Sequence, residues 1–325
     1  MNWLKQKPKP WLEDSIANAL VRRGITSIRQ SWLSQFRECP HKALSMYRSE
    51  GAEYSTVHTL LGSVFHKALE FSDDCIESGN SIQWWIEVFH MVKEESNGAV
   101  WMHKGERVTT GMVDDFCREF VGTYKMQMII ARVHAWFHNK GLIILHQEFK
   151  MNHVVNGVSF IGTIDIVATD SQGRLYFLDC KTSGMWNPIV KDKAVKAMNL
   201  SIEDAAYHTQ LNHYDWLYGK CHGKRAYMHG ILAPVNLVPL TRKSGEKAAG
   251  SDRGALAVMA APAQKDYESQ LKGWLGAIAE GVSYKSFPER FGESLCFQCP
   301  LFKQCRSGDS AATVDIKQVD VGEYL

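Results

Sequence analysis

The sequence predicts an α/β protein, and three observations carry that expectation. Before about residue 140, apolar residues recur at helical spacing, as in Trp32, Phe36 and Leu44. From Gly141 onward the pattern changes to β-rich runs separated by turn signals, and a further helical stretch follows them. The third observation is a bracket of cysteines, with Cys39 near one end and Cys296, Cys299 and Cys305 near the other.

A short basic arm leads into a helix expected over Ser31–Arg48, and a second helix runs through "STVHTLLGSVFHKALEF", with Ser55 or Thr56 as its cap. Helical segments rich in Trp and Met follow at about 82–95 and 112–138. "LIILHQEFKM", "VSFIGTIDIVATD" and "RLYFLDCKT" are then separated by Asn156-Gly157 and by Ser171-Gln172-Gly173, which predicts a three-stranded antiparallel meander. A helix over about 201–218 comes next, then strands in "RAYMHGILAP" and "LVPL". A basic loop, "TRKSGEKAAGSDRG", precedes a last helix over about 264–280, and a tail begins near 307.

At 325 residues the chain can bury a large core, and 45% hydrophobic with 22% charged residues is the composition of a folded domain. No stretch reaches the length of a membrane span, and "MNWLKQKPKPW" lacks the apolar run of a signal peptide. A cytoplasmic location follows, or the host cytoplasm for a viral gene. A net charge of +2 excludes a strongly basic nucleic-acid binder, so any such surface is a local groove. Eight cysteines in such a chain argue for metal or redox chemistry where they cluster. Cys75, Cys117, Cys180 and Cys221 stand alone and read as small core residues.

The chemistry concentrates on "LDCKT". Residues two apart on a strand share a face, so Asp179 and Lys181 project together while Leu178 and Cys180 face the core. Asp165 sits in the preceding strand after Gly162, whose bare backbone permits a close approach. If the meander pairs as drawn, Asp165 and Asp179 converge on one divalent cation, and carboxylate oxygens suit Mg²⁺ or Mn²⁺. Lys181 beside them could orient water or stabilise a phosphate. The alternative is a solvated charge pair at a strand end. His66 follows Gly62 by four residues on a helix, and Gln210 and Tyr214 share a helix face at i and i+4. Each of these also has an ordinary structural explanation.

The order G-x-x-x-H, G-x-x-D, D-x-K-T, Q-x-x-x-Y resembles the RecB-like branch of the PD-(D/E)XK nucleases, over about Ser31 to Cys305. The resemblance implies a mixed central sheet flanked by helices, with His66, Asp165 and Asp179 as metal ligands and the Cys180 carbonyl as a further one. It makes Lys181 the catalytic lysine and Gln210 and Tyr214 site residues, and it matches Glu148 to an acidic residue one strand earlier. Two departures stand out. The third-motif acid is Asp where many relatives carry Glu, and Cys180 stands where an aromatic is common.

C-x₂-C-x₅-C with a distant fourth cysteine can wrap a tetrahedral site, and zinc and iron–sulfur both fit the ligand type. One cysteine before the nuclease motifs and three after them resembles the iron–sulfur subgroup, which includes CRISPR-associated RecB-like nucleases, the AddB nuclease domain and the exonuclease V type. That favours a structural 4Fe–4S cluster. The implied organisation is an arm and His-bearing helix over 1–71, a helical insertion over 72–140 and a nuclease core over 141–290. A cluster-ligand segment over 291–306 and a tail over 307–325 complete it.

The activity so implied is a Mg²⁺- or Mn²⁺-dependent phosphodiesterase, a DNA exonuclease acting on single strands in repair, recombination or phage DNA processing, with helicase or recombination partners. Trp84, Trp85, Trp101 and Trp136 could stack bases, or could simply form the core of the insertion. Two other jobs remain open: CRISPR-adaptation trimming beside integrase partners, and a non-catalytic iron–sulfur DNA-binding subunit.

Overall fold

The computed structural model describes residues 11–38, 43, 54–71, 77, 81–95, 100–103, 106–107, 109–115, 117–118, 126–181, 206–235, 255–261 and 266–280. Its helices are α1 (Asp14–Arg22), α2 (Gln30–Glu38), α3 (Val57–Glu70), α4 (Ile82–Glu95), α5 (Met126–Asn139), α6 (Ala206–His222) and α7 (Tyr267–Glu280). Its strands are β1 (Ser27–Arg29), β2 (Tyr54–Thr56), β3 (Val100–His103), β4 (Glu106–Arg107), β5 (Ile143–Val155), β6 (Val158–Thr169), β7 (Leu175–Cys180), β8 (Met228–Val235) and β9 (Ala255–Ala261).

A six-stranded mixed sheet forms the centre, in the order β1-β6-β7-β8-β9 with β5 also paired to β6. β5, β6 and β7 make the expected antiparallel meander. The first turn is tight because Asn156 and Gly157 both take positive φ, the backbone a two-residue hairpin needs. β1 joins β6 in parallel, β8 joins β7 in parallel and β9 closes the far side antiparallel to β8.

Each face of the sheet carries its own core. On one side Trp85, Phe89 and Val92 of α4 and Phe65 of α3 pack with α5 against Ile166, Ala168, Leu178 and Cys180. On the other, Leu20 of α1, Trp32 and Phe36 of α2, Leu217 of α6 and Leu271 and Leu275 of α7 cover Phe160, Ile164 and Phe177. Fully burying each large side chain contributes roughly 1.5–3 kcal/mol. Trp85, Phe89 and Val92 recur on one face of α4, the buried stripe of an amphipathic helix.

Several expectations are adjusted. The segment read as a helical insertion also contains β3 and β4, which form a small second sheet with β2. The strand expected in "LVPL" lies outside the described residues, as does the basic loop. The outer strand is instead β9, in "ALAVMAA", an alanine-rich run with weak β character. Trp85 is completely buried, and Trp84 and Trp136, partly buried, pack against the same core. The side chain of Trp101 lies outside the described set. Cys39, Cys296, Cys299, Cys305 and Cys75 also lie outside the described residues. Cys117 and Cys180 are buried free thiols, as read, whereas Cys221, expected in the core, is only partly buried because it sits near the exposed end of α6.

Candidate active site

The site forms where β7 ends between the two cores. Leu178 and Cys180 turn into the α3–α5 core, leaving Asp179 on the opposite face toward α6. Lys181 continues the ladder one residue past β7, its N–H donating to the Leu232 carbonyl at 2.9 Å. Its Nζ stands 2.7 Å from Asp179 Oδ2, an ionic contact made off the hydrogen-bonding angle. Asp179 is only 2% exposed and Lys181 22%, so the carboxylate is shielded from water and the pair is not a fully solvated one at a strand end.

Gln210 holds the other carboxylate oxygen. Its Nε2 donates to Asp179 Oδ1 and to the Tyr214 hydroxyl, both at 2.9 Å. Burial, then the charge of Asp179, pushes the Tyr214 phenol well above its ordinary pKa, so it stays protonated. α6 lies this close because of Gly162. A Cβ there would sit 3.1 Å from Tyr214 Cδ1 and 3.1 Å from Leu217 Cδ2.

On the α3 side, His66 meets three oxygens. Its Nδ1 is 3.2 Å from Glu148 Oε1 and 3.6 Å from Asp165 Oδ2, and its Nε2 is 3.0 Å from the Cys180 carbonyl. Asp165 Oδ2 also accepts the Cys180 N–H at 2.6 Å. Donor atoms of His66, Glu148 and Asp165 lie within 4.8 Å of one another, an arrangement able to hold a metal ion. Asp179 borders this group, and its charge acts on both His66 and Asp165.

A neutral imidazole can donate from only one nitrogen, yet both nitrogens of His66 face acceptors. Burial lowers the His66 pKa, but the charge of Asp165, the hydrogen bond and charge of Glu148 and the charge of Asp179 outweigh it and raise it. Asp165 is also raised, by burial and then by Asp179, against the opposing His66 charge and Cys180 N–H. The pocket therefore calls for positive charge at this point, and its imidazole and carboxylate donors fit a divalent cation such as Mg²⁺ or Mn²⁺.

Glu148 is the residue whose place the motif reading understated. Counting back from the Asn156-Gly157 turn sets Gln147 against Ile166 and Phe149 against Ile164, which leaves Glu148 opposite Asp165. That register was available from the turn alone. Its backbone was not: Glu148 has φ +46°, a left-handed conformation rare for a non-glycine residue and costly unless its surroundings enforce it.

Such a carboxylate–histidine–lysine constellation, at the end of a mixed, helix-flanked sheet, is one able to hold a divalent cation beside a positively charged side chain. The family model of the PD-(D/E)XK nuclease superfamily matches residues 28–306, and the chain belongs to that superfamily. Its members are nucleases that use divalent metals and act on DNA. Among solved structures, one of a candidate exonuclease from Eubacterium rectale is similar at 12% identity and a TM-score of 0.43, covering 81% of this chain and 84% of that one. A second, of the protein SSO0001, has 11% identity and a TM-score of 0.33, covering 92% and 95%. No curated protein matches. No described helix is long and apolar enough to cross a membrane.

Proposed function

We propose that the protein is a Mg²⁺- or Mn²⁺-dependent DNA exonuclease that shortens single-stranded ends. The observation that carries this reading is His66 with both ring nitrogens on acceptors, beside the buried Asp179 and its partner Lys181. His66, Glu148 and Asp165 would hold the cation, with Asp179 and the Cys180 carbonyl adjoining. A bound divalent ion supplies Lewis-acid charge to the phosphate and to the attacking water.

The protein groups do the rest. Lys181 presents its ammonium to the charge that builds on the phosphate oxygens. Asp179 fixes Lys181, and Gln210 fixes Asp179 while tying it to Tyr214. Asp165 is aimed by the Cys180 N–H, so the carboxylate stays in place when a proton or a cation is exchanged.

The four cysteines Cys39, Cys296, Cys299 and Cys305 are proposed to bind a structural 4Fe–4S cluster. Their spacing supports it, and so does the packing of α1 on α7. Arg23 Nε donates to the Ala279 carbonyl at 3.2 Å, and Lys272 Nζ to Glu13 Oε1 at 2.7 Å. The elements that lead to the two cysteine groups are thus neighbours.

The test is digestion of end-labelled single-stranded DNA by anaerobically purified protein. Expected is shortening from an end that requires Mg²⁺ or Mn²⁺, stops with EDTA and falls by about a hundredfold or more in Lys181→Ala. Tight DNA binding without cleavage in any metal would instead support a non-catalytic DNA-binding subunit.

A further inference from the structure

Of the insertion's tryptophans, Trp85 is buried and Trp84 and Trp136 lean on the core, whereas β5 presents rings next to exposed surface. We propose that the rings of His146, Phe149 and His222 form a stacking platform for the single-stranded segment adjoining the scissile phosphodiester. This rests on the nuclease reading above and adds where the bases lie.

The rings form a stack rooted in the core. Fully buried Phe177 packs on Tyr218 at 4.8 Å between centroids, and Tyr218 on Phe149 at 5.8 Å. Phe149 is half-buried and carries His146 at 4.8 Å with a 33° tilt. His222 lies 5.5 Å from Phe149 and 4.6 Å from Tyr218. Both histidines are exposed. Their orientations are set from below, so little freedom is lost when a base settles on them.

Position gives the platform its occupant. Phe177, the root of the stack, precedes Asp179 by two residues on β7 and shares its face toward α6, so the strip lies on the Asp179–Lys181 side of the candidate site. Exposed Lys150 on the same strand and exposed Lys224 just beyond α6 offer charge for a phosphate backbone. Ile143 (63% exposed) and Leu145 (44%) extend the apolar surface along the same strand. With a net charge of only +2, phosphate attraction alone is weak, whereas each stacked base adds a salt-insensitive share of affinity.

The test uses the full-length protein, a single-stranded oligonucleotide carrying 2-aminopurine and a blunt duplex of the same sequence. In His146→Ala/His222→Ala, Kd and KM for the single strand should rise about tenfold to a hundredfold. The 2-aminopurine quench should fade, kcat should stay within about twofold and the slope of log Kd against log salt should not move. His146→Phe/His222→Phe, which keeps the rings, should restore binding. Wild-type binding and cutting with an unchanged Ala pair, or an equal loss on the duplex, would overturn the platform and leave the nuclease reading standing. A wild type that neither binds nor cuts either substrate would overturn both.

Discussion

At the scale of single residues, the site depends on a missing side chain as much as on those present. Gly162 lets Tyr214 and Leu217 rest directly on β6, and Tyr214 in turn steadies Gln210 on Asp179. In Gly162→Ala the new methyl would press on both side chains and push α6 outward by a few tenths of an ångström. Expected are a loss of about 1–3 kcal/mol in stability from overpacking and a fall in kcat of up to about tenfold from the displaced Gln210. Urea denaturation and single-turnover digestion measure the two. A large stability loss with unchanged kcat would show that α6 does not position the catalytic carboxylate. Asp179 and Lys181 were legible because their spacing encodes a shared face, whereas the donor atoms that the structure groups are those of His66, Glu148 and Asp165, with Asp179 beside them. Nothing in the residue letters gives the left-handed backbone of Glu148, since neighbouring strands impose it.

At the scale of elements, α6 is anchored to the sheet by a buried charge. Asp215, fully buried, accepts from Arg225 Nε and from the Ala226 N–H, and His229 of β8 lies beside it. Burial alone would raise its pKa, but the partners His229, Arg225 and the Ala226 N–H overcome that and hold it below the usual carboxylate value. A depressed folded pKa means that this stabilisation is present above the unfolded value, near 3.9, and is lost as pH falls through the folded one. Asp215→Asn should therefore cost about 1–3 kcal/mol at pH 7, and the gap from wild type should narrow below about pH 4, as read by denaturant melts across pH. A gap that stays constant down to pH 3 would remove the charge from the account. The meander was legible at this scale because Asn156-Gly157 and the alternation of β6 specify it locally. β1 and β9 were not. Three residues are too few to show a period, and an alanine-rich strand takes its state from the β8 ladder and not from its own preference.

At the scale of the whole molecule, the first and last described helices lie against each other, and the proposed cluster would lock that closure covalently. Anaerobic protein should contain about four irons per chain. Cys299→Ser should lose that iron, melt several degrees lower and lose activity in parallel, as followed by absorbance spectroscopy and calorimetry. Iron loss with an unchanged melting temperature and full activity would contradict a structural cluster. The pairing of Ser27 with Ser159 in β1–β6, and of α1 with α7, also bears on how the protein is born. β1 leaves the ribosome on the order of ten seconds before its partner strand is made, and α1 waits longer still for the helix it packs against. Gln210, which holds Asp179, is itself translated after every acidic residue of the candidate site. A chain grown just past Lys181 thus holds the acidic residues and the lysine of the candidate site without Gln210 and the α6 frame that align them. The topology itself would delay the proposed activity until most of the polypeptide is complete.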